Sequence, residues 1–271
     1  MVSSITYNLE GISIWRKSDV LELEKIQAKL LKTILKLPES TPYWGILNEL
    51  GMWPLISIIH YKKLMLYQNL MKSDDERTAK RLILYQKKIA IEGSWYDGIE
   101  KISKEYGIIL ENKIIETKSK WKKYVKTKIM QKVINESNEK KMMMTKLRHQ
   151  KTQEFSMQPY IKETNINRIR DLIRVKLEML DIGKNQGQEN RKCYGCKNSD
   201  ETTEHITACS EVQKILKTTT TEKVPWNDEM MSDKSHLKKI YNLVQKYIKC
   251  REERQTNEQV MESSNEREET L

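Results

Sequence analysis

Apolar residues recur every three or four positions over most of the chain, a pattern typical of helices that bury one face. The first such helix is predicted to begin at the capping pair Ser18-Asp19 and to end at Pro38. Glycine and proline residues divide the following stretch into further short helices, as far as Gly107. Because alternation with a period of two is rare, we expect an all-α protein in which residues 18–107 form a helical bundle.

The stretch 101–150 is strongly basic, with 14 Lys and Arg against five Glu. Trp121 begins an apolar stripe with a spacing of four that ends at Val133, which predicts an amphipathic helix. Trp121 could stack on a nucleic-acid base, but its place in the stripe favours a position in the core. We expect the other faces of this helix to contact phosphates. The lysines concerned are Lys118, Lys120, Lys122, Lys123, Lys126 and Lys128.

A second basic helix is predicted from Asn165 to Ile182. One of its faces is apolar, and Arg168, Arg170 and Arg174 lie on the remainder, where we expect further phosphate contacts. Together with the preceding lysine-rich helix, this helix makes residues 108–190 a basic helical connector.

The most specific motif is C-x2-C-x8-H-x3-C, formed by Cys193, Cys196, His205 and Cys209. Two cysteines in a C-x2-C turn can bind one ion from the same side, and His205 and Cys209 are one helical turn apart. Three thiolates and one imidazole suit tetrahedral Zn²⁺, and four protein ligands leave no open position, as in structural sites. The alternative is that these are ordinary buried thiols, but the spacing favours a CCHC zinc knuckle.

The charge balance points to a polyanionic partner. The net charge is +11, and because the last 21 residues hold seven Glu against three Arg, residues 1–250 carry +15. Nucleic acid is the first expectation and a membrane surface the weaker one. The alternative is that the lysines only solvate long helices. The sequence predicts neither a transmembrane helix nor a secretory signal. The metal pattern favours a reducing, intracellular compartment over a disulfide scaffold.

With these residues in view, the chain resembles the C-terminal part of non-LTR (LINE-type) retrotransposon reverse transcriptases. Four blocks carry the resemblance. They are Ile5-Thr6-Tyr7-Asn8-Leu9-Glu10 with Trp15; Leu23-Glu24-Lys25-Ile26-Gln27 with Leu30-Leu31; Thr41-Pro42-Tyr43 with Glu49-Leu50-Gly51; and Arg174 to Asn185 followed by the zinc motif, with Glu201-Thr202 and Glu204-His205 inside it. The resemblance covers roughly residues 5–216 and is most specific in the zinc block.

The resemblance implies the following organisation. Residues 1–17 would be a remnant of the palm end, 18–107 a thumb-like bundle, 108–190 the basic connector, 191–217 the CCHC knuckle, 218–250 a terminal helix region and 251–271 a disordered acidic tail. In that family the thumb grips the template–primer duplex, and the knuckle region helps to engage RNA or target DNA. The chain would then begin after the palm, with which it could associate in a longer parent protein.

The adjacent aspartates Asp74-Asp75 follow Lys72-Ser73 rather than the aromatic-led strand turn of the family, so no polymerase activity and no enzyme function are expected. The leading hypothesis is an RNA- or DNA-binding fragment with a structural zinc ion. The alternatives are a zinc-stapled helical adaptor for protein partners, and a decayed copy of an element without a role of its own.

Overall fold

The computed structural model describes residues 8–12, 16–110, 117–147, 155–162, 165–183, 191–216 and 233–268. Within these ranges the chain is helical and contains no β-strand, and an antiparallel bridge joins Lys192 and Asp200. The predicted all-α class is therefore confirmed. The α-helices are α1 (Lys17–Leu35), α2 (Tyr43–Leu50), α3 (Leu55–Met71), α4 (Thr78–Ile89), α5 (Trp95–Tyr106), α6 (Lys118–Met143), α7 (Pro159–Lys162), α8 (Ile166–Lys176), α9 (Thr203–Ala208), α10 (Ser210–Ile215) and α11 (Lys234–Glu268).

The described residues fall into two compact units. The first unit takes its residues from Met1–Ile34, Leu50–Met144 and Thr152–Ser156. The second takes its residues from Leu35–Glu49, Thr145–Lys151 and Met157–Leu271.

In the first unit, α3 is the central helix and packs against α4, α5 and α6. The predicted stripe of α6 is fully buried, from Trp121 to Val133, at 0% exposure. Gln27 of α1 fixes the start of α3: its side-chain amide donates to the Trp53 carbonyl at 3.2 Å, and its side-chain oxygen accepts the Leu55 N–H at 2.8 Å. The first turn of a helix has no intrahelical acceptors for its N–H groups, so this buried glutamine satisfies one of them.

The second unit contains a buried ion pair. The Lys176 ammonium at the end of α8 lies 3.0 Å from a Glu49 carboxylate oxygen of α2, with the two side chains 0% and 1% exposed. Tyr160 of α7 donates its hydroxyl to the same carboxylate, and burial, with the adjacent Glu49, raises the pKa of Tyr160 well above its usual value. A buried charge is tolerated only when it is paired and hydrogen-bonded, and here three separate helices supply the partners.

The observed division differs from the predicted organisation in two places. The basic helix α6 packs into the same unit as the bundle, because its apolar stripe completes the core beside α3. We also expected a disordered tail from residue 251, but α11 continues to Glu268, and the buried Arg251 anchors it at that point. Most of the predicted palm remnant, residues 184–190 and 217–232, and residues 269–271 lie outside the described residues.

Candidate metal centre and basic surfaces

The four predicted metal ligands lie together in the second unit. The Sγ atoms of Cys193, Cys196 and Cys209 and a ring nitrogen of His205 are all within 4.8 Å of one another. Cys196 Sγ and His205 Nε2 are 3.3 Å apart. Cys193 and Cys209 are buried, and the other two are partly exposed. These side chains are therefore close enough to hold one metal ion.

The C-x2-C segment folds into a turn that directs backbone N–H groups at sulfur. Gly195 and Cys196 N–H groups face the Cys193 sulfur, and those of Asn198 and Ser199 face the Cys196 sulfur. These donors lower the pKa of Cys196 to about 6. Burial outweighs them at Cys193 and raises the pKa of that thiol to about 11. Burial therefore favours the neutral thiol at Cys193, and its thiolate form would require a cation beside it.

Of the other two ligands, His205 lies in the short helix α9 and Cys209 is the residue directly after it. Thr202 caps it by accepting the His205 N–H at 3.0 Å, and the Cys209 N–H donates to the His205 carbonyl at 2.8 Å. This single turn places the His205 ring and the Cys209 sulfur on the same side, as the x3 spacing predicts.

The arrangement is compatible with tetrahedral Zn²⁺. With Zn–S bonds of about 2.3 Å, the sulfurs of a tetrahedral site are about 3.8 Å apart, so donors within 4.8 Å need shifts of at most about an ångström. Gly195 also suits the site sterically, since a Cβ there would lie 3.2 Å from a Val212 methyl group and 3.2 Å from the Val212 nitrogen. A bound zinc ion would hold the turn and α9 together and would have no open coordination position.

Helix α11 covers the metal centre through a network that the sequence analysis missed. The Tyr247 hydroxyl accepts the Tyr194 N–H at 3.1 Å and lies 3.9 Å from Cys193 Sγ. It donates to the Glu201 carboxylate, and burial, followed by Glu201, raises the pKa of Tyr247. The tyrosine therefore stays protonated and connects α11 to the metal-binding turn.

Glu201 is the centre of this network. Its carboxylate accepts from the Arg251 guanidinium at 2.6 Å and from the Gly183 N–H, and its side chain is 1% exposed. Arg251 also approaches the Asp181 carbonyl at 3.4 Å. The sequence indicates this network only through the spacing of the buried residues of α11. Those residues are three or four positions apart: Ile240, Val244, Tyr247 and Arg251.

The lysines predicted on α6 lie on its outer faces. Lys118, Lys120, Lys122, Lys123 and Lys126 are exposed and Lys128 is half-buried. Within the described part of the chain, no carboxylate lies within salt-bridge distance of these six, whereas Lys132 further along the helix pairs with Glu105 at 2.6 Å. The first half of α6 therefore presents uncompensated positive charge.

Trp121 is a core residue, which confirms the favoured interpretation. It is 0% exposed, and its indole N–H donates to the Leu64 carbonyl at 3.2 Å. It is therefore unable to stack on a base.

The three predicted arginines of α8 have different surroundings. Arg170 pairs with Asp171 and Arg174 with Asp181, both at 2.7 Å. Arg168 is exposed and has no acidic partner among the described residues. Its side chain is the best placed of the three to contact a phosphate.

Arg168 shares a groove of about 240 Å³ with residues of α11 that the sequence analysis did not select. Lys238 and Tyr241 line it opposite Leu172. Because α8 and α11 are far apart in sequence, only their packing reveals this second basic surface.

The adjacent aspartates and the fourth cysteine of the chain lie outside the candidate metal site. Asp75 pairs with Lys80 at 2.6 Å, and Asp74 accepts the Glu76 N–H at 3.0 Å. Cys250 is not in the metal cluster.

Comparison with protein-family models, curated proteins and solved structures finds no match to the chain. Among the described helices, none is long and apolar enough to cross a membrane. The residues and their geometry are therefore the basis on which a function can be assigned.

Proposed function

We propose that the chain binds RNA or DNA, mainly through phosphate contacts from the outer faces of α6. The observation that carries this proposal is the row of six lysines without acidic partners among the described residues. The buried stripe beginning at Trp121 fixes the rotation of α6, so these lysines lie on the sides of the helix that the core does not cover. Such a surface binds phosphates by releasing counterions and does not itself read sequence.

We further propose that Zn²⁺ occupies the Cys193, Cys196, His205 and Cys209 site in a structural role. The closed donor set, three thiols and one imidazole within 4.8 Å of one another, supports a structural ion. The metal would hold the second unit in shape and take no part in chemistry. This makes binding, and not catalysis, the capacity that we assign to the chain.

The resemblance of the sequence blocks to the thumb and knuckle of non-LTR reverse transcriptases supports the same function. We propose on that basis that these residues correspond to the thumb and knuckle of such an enzyme. The support is the joint presence of the motif spacing, the helical blocks before it and the basic composition.

A salt titration tests phosphate-driven binding. If all six lysines contact phosphates, log K should fall with log salt concentration with a slope of about −4 to −5, a loss of roughly 10²- to 10³-fold between 50 and 200 mM. Affinity that stays flat over this range contradicts the proposal.

A charge-reversal variant locates the surface. Replacing Lys120, Lys122 and Lys126 by Glu should abolish most binding. The control variant replaces the exposed Lys29, Lys88 and Lys104 of the same unit by Glu, which gives the same change in net charge. Unchanged nucleic-acid binding by the Lys120, Lys122 and Lys126 variant, with loss of protein-partner capture, would instead favour the protein-interaction adaptor.

A further inference from the structure

We propose that a groove beside α6 binds a single-stranded stretch of nucleic acid, with a base against Trp53 and phosphates on Lys122 and Lys126. The proposal rests on the nucleic-acid function proposed above and specifies the form of ligand that the surface prefers. We call this site the Trp53 groove; its lining includes Trp53, Tyr61, Lys122, Lys126, Met130 and Phe155.

Three segments of the first unit form the Trp53 groove. Trp53 lies in the link before α3, Tyr61 comes from α3, and the two lysines come one turn apart from α6. The volume is about 460 Å³, which is in the range of about 300–1,000 Å³ typical of small-ligand sites. The hydrogen bond from Gln27 to the Trp53 carbonyl fixes the backbone of the link, so the wall that carries the indole is held in place before a ligand arrives.

The aromatic wall is partly open to solvent. Trp53 and Tyr61 are half-buried, and their rings meet edge to face with centroids 6.0 Å apart and planes at 81°. In this geometry one ring braces the other without covering both of its faces. An exposed ring face is the platform on which unpaired bases stack.

The polar groups of the groove lack partners. The Trp53 indole N–H, the Tyr61 hydroxyl and the ammonium groups of Lys122 and Lys126 make no hydrogen bond or ion pair within the part of the chain that the structure describes. No Asp or Glu among the described residues lines the groove. An indole and two ammonium groups are donors only, so a complementary ligand supplies acceptors and negative charge.

Single-stranded nucleic acid meets both requirements together. Its phosphates supply acceptors for the lysines, and its unpaired bases supply flat faces for the indole. In a duplex the base faces are stacked on each other, so a duplex would use only the lysines. An acidic peptide would likewise pair with the ammonium groups and leave the ring face unused.

The test measures binding of a fluorescent oligothymidylate and of a duplex of the same length by anisotropy, using the full chain. Trp53→Leu removes the aromatic face and keeps an apolar side chain, whereas Trp53→Phe retains a ring. A second pair of variants leaves the core untouched: K122Q/K126Q alters the groove, and K120Q/K123Q removes the same charge from exposed positions of α6 outside it. Thermal unfolding of each variant checks that it folds.

Trp53→Leu should weaken single-strand binding by roughly 5-fold or more, leave duplex binding within about twofold, and be largely restored in Trp53→Phe. K122Q/K126Q should weaken single-strand binding more than K120Q/K123Q does. Two results contradict the proposed groove but not nucleic-acid binding itself. One is an equal loss of single-strand affinity in K122Q/K126Q and K120Q/K123Q. The other is an equal loss of single-strand and duplex affinity in Trp53→Leu. If the unaltered chain binds neither nucleic acid, both the groove and the proposed function fail.

Discussion

Arg251→Gln offers the sharpest test of how α11 is attached to the metal centre. The substitution removes the guanidinium that lies 2.6 Å from Glu201 and leaves a carboxylate whose side chain is 1% exposed. Breaking a buried ion pair by removing one partner costs about 3–5 kcal/mol. Glu201 keeps two donors, the Tyr247 hydroxyl and the Gly183 N–H, so we expect the lower end of this range, about 3 kcal/mol.

The loss should appear in thermal unfolding of the metal-loaded protein. For a unit of this size, about 3 kcal/mol corresponds to a fall in Tm of roughly 10 °C. Zinc affinity, measured by competition with a chromophoric chelator, should also weaken by roughly tenfold or more, because residues that position metal ligands commonly contribute that much.

Lys249→Gln is the matched control, since it removes one positive charge two residues earlier on the same helix. Lys249 is 78% exposed and lies 3.8 Å from Glu253, and an exposed pair of this kind contributes about 0–1 kcal/mol. A double variant, Glu201→Gln with Arg251→Gln, removes the unpaired charge and should recover part of the lost stability. If Arg251→Gln behaves like Lys249→Gln in both assays, the network does not couple α11 to the metal centre.

Two further outcomes are expected. Cys196→Ser should abolish near-stoichiometric zinc and unfold the knuckle, whereas Cys250→Ser, outside the cluster, should retain zinc; equal zinc in both, by metal analysis, would contradict the site. Burial lowers the pKa of His60 from 6.5 to about 4, against the opposing effect of Glu105. Below pH 6.5 the unfolded state therefore binds more protons than the folded state. As the pH decreases, the free energy of unfolding decreases by up to about 1.4 kcal/mol per pH unit. The difference in unfolding free energy between wild type and His60→Asn should therefore shrink from pH 6.5 to 5, and parallel pH curves would refute the assignment.

Features that depend on near neighbours in sequence could be predicted. The helix α6 follows from the four-residue spacing that begins at Trp121, and α5 ends at Gly107, where the backbone adopts φ 60°. The metal ligands belong to the same class, because a C-x2-C turn and an i,i+4 pair each bring two donors together locally.

Features that depend on distant partners could not be predicted. Lys176 and Glu49 form a buried pair across 127 residues, and both looked like ordinary surface charges in the sequence. Trp53 lies beside Lys122 only because α3 and α6 pack together. In the sequence, Trp121 is the tryptophan that lies among the lysines of α6, and its place in the apolar stripe correctly predicts that it is in the core. A stacking surface requires an aromatic residue that the core leaves partly exposed, as it does Trp53.

The metal centre and the second basic surface are linked through one helix. The knuckle has few large apolar side chains of its own, mainly Ile206, Val212 and Leu216, so we expect its shape to depend on α11 and on a bound metal ion. Helix α11 packs against α9 and α10 with the face that carries Tyr247, and it also packs against α8. The same helix brings Lys238 to the groove beside Arg168. Because a helix is rigid over these few turns, metal that fixes the knuckle also fixes the spacing of those two cations. A zinc ion in this position would therefore influence phosphate binding without contacting a phosphate.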